Sequence, residues 1–136
     1  MKIISISDLE DTPREVHCPR NGFTSFRFLL ARDGMGFSLS KTVIQPGPPQ
    51  HWHYKNHLEA CYCVAGWGNV TNLRTGKQTM IREDMLYALD EHDDHTFQAL
   101  SETILICVFN PPLIGDEVHD ADGSYVSADK YESEVL

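Results

Sequence analysis

HYKNHLEACYCVAGWG, from His53 to Gly68, crowds two histidines, a glutamate and two cysteines into a stretch that otherwise reads as a strand and a tight turn. These are residue types that bind metals or carry protons. Side chains alternate along a strand, so Glu59, Cys61 and Cys63 share one face while Ala60, Tyr62 and Val64 share the other. Both faces are largely apolar, as expected of a strand covered on both sides, with a partner subunit as one possible cover. An unpaired carboxylate buried there costs several kcal/mol, so Glu59 is expected to meet a metal, a cation or a hydrogen-bond donor.

The same alternation puts His51 and His53 on a common face of QHWHYKNHLE. H-x-H followed by Glu is the metal-site pattern of cupin jelly rolls, where two imidazoles and a carboxylate from one hairpin meet a later histidine. Five residues separate His53 from Glu59, a longer gap than that pattern has. The two histidines and Glu59 therefore need not aim at one point, and the ligand set stays open. A later donor is available in YALDEHDDHTFQAL, where Tyr87 ends one strand and His95 starts the next. His92 competes with His95 but lies inside the charged turn. Zinc held by Cys61, Cys63 and two histidines is a further option, although C-x-C on a flat strand sets the sulfurs about 7 Å apart, a poor bite for one ion. Cys18, Cys61, Cys63 and Cys107 are expected to be reduced, mostly buried thiols.

The elements that position these groups are short. Turn signals recur at RNG, RDGMG, QPGPP, AGWGN, RTGK, LDEHDD and NPPLIGD. Between them run FRFLLA, FSLSKTVI, EACYCV, NVTNL, QTMI, MLYAL, HTFQAL and TILICVFN, rich in β-branched and aromatic residues, the pattern of an all-β chain. Ser7 to Arg14 is the exception, predicted as one short N-terminal helix with Ser7 or Asp8 as cap. Many short antiparallel strands point to a sandwich or jelly-roll barrel, whose open mouth takes a small ligand.

A chain of 136 residues supports one core, so a single domain over 1–136 is expected. Eleven basic against twenty acidic residues give a net charge of −9, which argues against nucleic acid or an anionic membrane as partner. Acidic residues concentrate after Gly115, and 117–136 is expected to be a partly flexible tail. The longest strongly apolar run, ILICVF, is far short of the roughly 20 residues of a membrane helix. The N-terminus has no long apolar run before Asp8, Glu10 and Asp11, so a cytoplasmic location is expected.

HYKNHLEA, YALDEHDDH and CVFNPPLIGDEVHDADGSY, together with DGMGFS, resemble ectoine synthase, the cyclising enzyme of ectoine biosynthesis; the likeness runs from about Arg27 to Tyr125. The resemblance implies a cupin jelly-roll barrel, commonly a homodimer. It implies that Fe(II) serves to close N-γ-acetyl-L-2,4-diaminobutyrate into ectoine, a compatible solute, with loss of water. Carried over by position, the iron ligands are Glu59, Tyr87 and His95, so His51 and His53 would not be ligands. Substrate contacts fall on Arg27, Thr42, Tyr54, Phe109, Glu117 and His119. The chain departs from the family at Phe23, at Ser40 and at Trp67 of GWGNV; the first two border the substrate pocket, and Trp67 is expected at the surface or an interface.

The chemistry suits these types. An amide carbonyl is a poor electrophile and a protonated amine a poor nucleophile. A Lewis-acid metal and a pocket that holds amine and carbonyl together remedy the first defect and the distance. Water loss needs a proton donor and a base, roles assigned to Glu117 and His119 with Tyr54 beside them. Arg27 matches the substrate carboxylate by its planar fork. Tyr87 binds metal only if its ordinary pKa near 10 is lowered. Two other readings remain open: a metal-bearing cupin that senses a small polar metabolite, and a related cyclase or hydrolase acting on another amide.

Overall fold

Runs of Val, Ile, Thr and aromatic residues between glycine- and proline-bearing turns form ten strands in the computed structural model, which describes residues 1–18, 22–115 and 124. They are β1 (Glu15–Cys18), β2 (Phe23–Leu29), β3 (Ser38–Ile44), β4 (Gln50–Trp52), β5 (Leu58–Ala65), β6 (Trp67–Asn72), β7 (Gln78–Arg82), β8 (Leu86–Leu89), β9 (His95–Ala99) and β10 (Thr103–Asn110). All but β1 and β4 fall on runs expected from the sequence. Those two are short, and EVHC and QHW mix polar with apolar residues.

The N-terminal helix, α1 (Ile6–Leu9), is shorter and earlier than the predicted Ser7–Arg14. Ser5, rather than Ser7 or Asp8, is its N-cap. Asp8 instead occupies the third helical position and accepts the Ser5 backbone N–H at 2.8 Å, the reciprocal half of a capping box. Pro13 lacks the N–H that a longer helix would need.

The strands form two antiparallel sheets, β1-β2-β3-β10-β5-β8 and β4-β9-β6-β7. Residues of β3, β10 and β5 alternate between buried and accessible, so each strand gives one face to the interior. Both sheets contribute to the core: Ile44, Cys63 and Leu105 from the first, Ile81 and Phe97 from the second. Fully burying side chains of the size of Ile44 or Phe97 stabilises by about 1.5–3 kcal/mol each. Phe97 does more than fill space. Its ring stacks on Trp52 at 6.3 Å and on Tyr87 at 6.0 Å, so three aromatic planes lie nearly parallel across the interior.

The turn between β5 and β6 demands glycine. Gly66 has φ +80°, and a Cβ there would lie 2.1 Å from the Glu102 carbonyl oxygen. Trp67 follows it and is exposed, as expected. Among the described residues nothing covers the outer face of β5: Leu58, Tyr62 and Val64 are exposed, as is Leu86 on β8.

Candidate functional site

Strand order assembles the site. β5 lies between β10 and β8, and Cys61 is the direct partner of Cys107 on one side and of Tyr87 on the other. Glu59, two residues along β5, shares their inner face and stands opposite Phe109. From the other sheet, β4 and β9 set Trp52 opposite His95. His95 packs its ring against Tyr54 at 6.2 Å and Tyr87 at 6.5 Å. Between the sheets is a cavity lined by Phe23, Ser25, Ser40, Thr42, Trp52, Tyr54, Glu59, Cys61, Tyr87, Cys107 and Phe109. It is narrow, with ≈ 20 Å³ open to the centre of a water-sized sphere, room for an ion or a water. A second opening of ≈ 200 Å³ reaches Tyr87 and His95 from the side of β6 and β7.

Burial governs the electrostatics here. It pushes the Glu59 carboxyl well above the usual carboxylate range, and the adjacent Cys107 thiol adds to the effect. It drives Tyr87 well above the ordinary phenol value and lowers His95. Burial thus favours a neutral acid, a neutral phenol and a neutral imidazole. His95 Nδ1 lies 2.8 Å from the Asp93 carbonyl oxygen, which can only accept, so Nδ1 carries the hydrogen and Nε2 presents its lone pair. Among the described residues, Tyr87 Oη and His95 Nε2 are buried without a hydrogen-bond partner. A divalent first-row cation fits such a set: buried oxygen and nitrogen donors, two of them otherwise unsatisfied, beside a buried carboxyl.

Glu59, Cys61 and Cys107 also form a compact group, with one donor atom of each within 4.8 Å of the others. His95 is not part of that group and stands on the Tyr87 side of the cavity. His51 and His53 face outward. His51 Nε2 lies 2.5 Å from Asp94 Oδ1, and His53 Nδ1 lies 3.9 Å from the same oxygen. Trp52 and Tyr54, at the alternate positions, fill the interior instead. His92 is exposed in its turn, with Nδ1 2.9 Å from the Tyr54 carbonyl oxygen.

Thr42, Tyr54, Phe109, Phe23 and Ser40 all line the cavity. Arg27 is wholly buried on β2 rather than at the surface. Its Nε donates at 3.3 Å to Oγ of Ser25, a residue of the cavity wall, and its Nη1 donates to the Gly115 carbonyl. Glu117 and His119 lie outside the described residues. Neither Trp52 nor the neighbourhood of Cys107 is marked as part of a site by the sequence alone. Cys107 lies on the inward face of TILICVFN, between Leu105 and Phe109, so its burial was readable, whereas its position opposite Cys61 depends on a register that one sequence does not reveal.

The ectoine synthase family profile matches residues 1–129. An L-ectoine synthase of Wolinella succinogenes is 52% identical over 84% of this chain and 87% of its own. One of Alkalilimnicola ehrlichii is 49% identical over 92% and 94%. The crystal structure of ectoine synthase from P. lautus superposes with a TM-score of 0.79 at 39% identity, covering 84% of this chain and 80% of that one. A Cupin_2 domain of an XRE family transcriptional regulator from Enterobacter cloacae, 12% identical with a TM-score of 0.55 over 67% of this chain and 98% of its own, shares the fold alone.

Proposed function

Because the chain belongs to the ectoine synthase family and has that family's hydro-lyase activity, we propose that its barrel closes N-γ-acetyl-L-2,4-diaminobutyrate into ectoine around a ferrous ion held by Glu59, Tyr87 and His95. The observation that carries this reading is the pair of buried donors without a hydrogen-bond partner among the described residues, Tyr87 Oη and His95 Nε2, of which Tyr87 also lines the cavity that holds the buried Glu59 carboxyl. When bound, the metal supplies Lewis-acid polarisation of the amide carbonyl.

The remaining work falls to the protein. Arg27 grips the substrate carboxylate, with Ser25 fixing its guanidinium. Thr42, Tyr54 and Phe109 hold the substrate folded so that amine and carbonyl meet, which is worth up to about 7–11 kcal/mol in the best intramolecular reactions. Phe23 and Ser40 shape the wall beside them, and Tyr54 borders the reacting end. Glu117 and His119 carry the two protons that the neutral amine nitrogen gives up to the departing oxygen, so that it leaves as water as the carbon–nitrogen double bond forms. Aromatic walls exclude bulk water, so the reacting end meets fixed dipoles instead of mobile solvent.

The enzyme works as a homodimer in the cytoplasm, in compatible-solute synthesis under osmotic stress. Support for pairing comes from the apolar outer face of β5 and β8, where Leu58, Tyr62, Val64 and Leu86 are exposed together. Residues 1–136 act as one domain, with 117–136 an acidic tail.

Anaerobic turnover of the substrate with added Fe(II), wild type beside Glu59→Ala, tests the proposal. Ectoine formed by the wild type, and lost in the variant or with a chelator, supports it. No product from folded, iron-loaded wild type would overturn it.

A further inference from the structure

The cavity holds two cysteines that the ferrous reading leaves without a task. Cys61 and Cys107 are direct partners on the antiparallel strands β5 and β10. Both are free and buried, and their sulfurs lie 3.8 Å apart. That separation matches one edge of a zinc–thiolate tetrahedron: metal–sulfur bonds of about 2.3 Å at the tetrahedral angle put two sulfurs about 3.8 Å apart. Glu59 contributes an oxygen, and the three donor atoms all lie within 4.8 Å of one another. The fourth vertex is left to the cavity.

We propose that Glu59, Cys61 and Cys107 form a thiolate-rich donor set that binds a thiophilic divalent cation of the zinc class. The pairing is across strands rather than along one. Cys63, the C-x-C neighbour of Cys61, is engaged elsewhere, with its Sγ 3.4 Å from the Ala65 carbonyl oxygen and 3.7 Å from that of Gly66. Each thiol of the pair releases its proton to solvent as a metal–sulfur bond forms. Thiolates select soft or borderline cations, whereas carboxylate, phenol and imidazole suit a harder ion. The two donor sets share only Glu59, so the cavity sorts metals by softness: zinc-class ions settle toward β10 and ferrous iron toward Tyr87 and His95. This inference does not depend on the iron ligands proposed above.

Cobalt(II) added anaerobically to the metal-free full chain reports thiolate ligation directly. Wild type and Tyr87→Phe are expected to show intense near-ultraviolet thiolate-to-cobalt absorption, lost in Cys61→Ser and in Cys107→Ser. A wild-type spectrum without that band, or a band that survives both serine variants, overturns the proposal. If a variant does not fold, X-ray absorption of the zinc-loaded wild type decides alone. Sulfur scatterers at about 2.3 Å support the site, and a shell made only of oxygen and nitrogen at about 2.0–2.1 Å removes it. Failure of ferrous turnover would strike the proposed function and leave this result standing, while a sulfur-free metal shell would do the reverse.

Discussion

Two clusters in this chain share the vocabulary of a metal site. One is outward: His51, His53 and Asp94 at the rim of β4. The other is inward: Glu59, Cys61, Tyr87, His95 and Cys107 between the sheets. At the rim, imidazole and carboxylate already meet at 2.5 Å, half in water. In the interior, Tyr87 Oη and His95 Nε2 have no hydrogen-bond partner among the described residues. Residue type does not separate the two clusters; unsatisfied burial does. Polar groups that solvent or each other can satisfy have little left to offer a ligand, whereas groups held dry and unpartnered gain most from one.

Glu59→Ala tests the inner cluster hardest. Loss of a direct metal donor should exceed the 10–100-fold typical of an outer partner, so iron content and turnover should both fall by more than about 100-fold, as read by metal analysis and ectoine yield. Retained iron in this variant would erase the distinction drawn here.

Tyr87→Phe comes next and carries two signs. Iron affinity should weaken by roughly 10-fold or more as a donor is lost. The metal-free protein should gain about 1 kcal/mol, because a buried hydroxyl without a partner is removed from an aromatic stack that persists. Denaturant melts of the metal-free forms and chelator competition measure the two effects separately. A variant that loses stability as well as metal would mean that the hydroxyl is satisfied in the fold.

Proton linkage gives a third contrast. Raised pKa values mean that Glu59 and Tyr87 hold their protons in the metal-free protein, so a metal must displace them. Affinity should therefore climb with pH below those raised values, about tenfold per unit for each proton displaced. For Glu59 itself, a raised pKa stabilises the metal-free fold at low pH, and that contribution is lost as pH rises through the folded value. Asp33 works in the opposite sense. Its hydrogen bond from Arg14 at 2.9 Å holds its pKa down at about 2, so its contribution is complete above the ordinary aspartate value and fades as pH falls toward 2. Calorimetry in buffers of different ionisation enthalpy counts the protons released by metal. A flat pH dependence would contradict the buried-neutral description.

The smallest effect belongs to the rim. His51→Ala should change stability by no more than about 1 kcal/mol, the range for exposed ion pairs, and leave turnover and iron content as they are. Loss of iron in that variant would move the centre outward.

Much of this contrast was legible in the sequence, and the illegible part has a physical reason. Alternation in EACYCV and TILICVFN told which residues share a face, and the turn signals told where strands end. Alternation alone could not say which face of QHWHY turns inward. Trp52 and Tyr54 were the clue, since two large aromatics outbid two histidines for the core. Neither β1 nor β4 has enough apolar residues to announce itself. The meeting of Cys61 with Cys107 depends on register between strands far apart in the chain, which is a tertiary property. The helix start slipped because Ser5 and Ser7 both suit a cap, and the choice turned on which left Asp8 able to reach back.

The place of β10 carries a consequence for how the molecule comes into being. It sits between β3 and β5 in the larger sheet, yet it is the last of the described strands to be synthesised. Until residues 103–110 emerge from the ribosome, β3 and β5 each present an open hydrogen-bonding edge and Cys61 has no opposite number. A nascent chain stalled there resembles two half-sheets awaiting a keystone, the kind of species that sticks to its neighbours. Vectorial synthesis thus completes the larger sheet and this wall of the cavity in one late step, as β10 slides in.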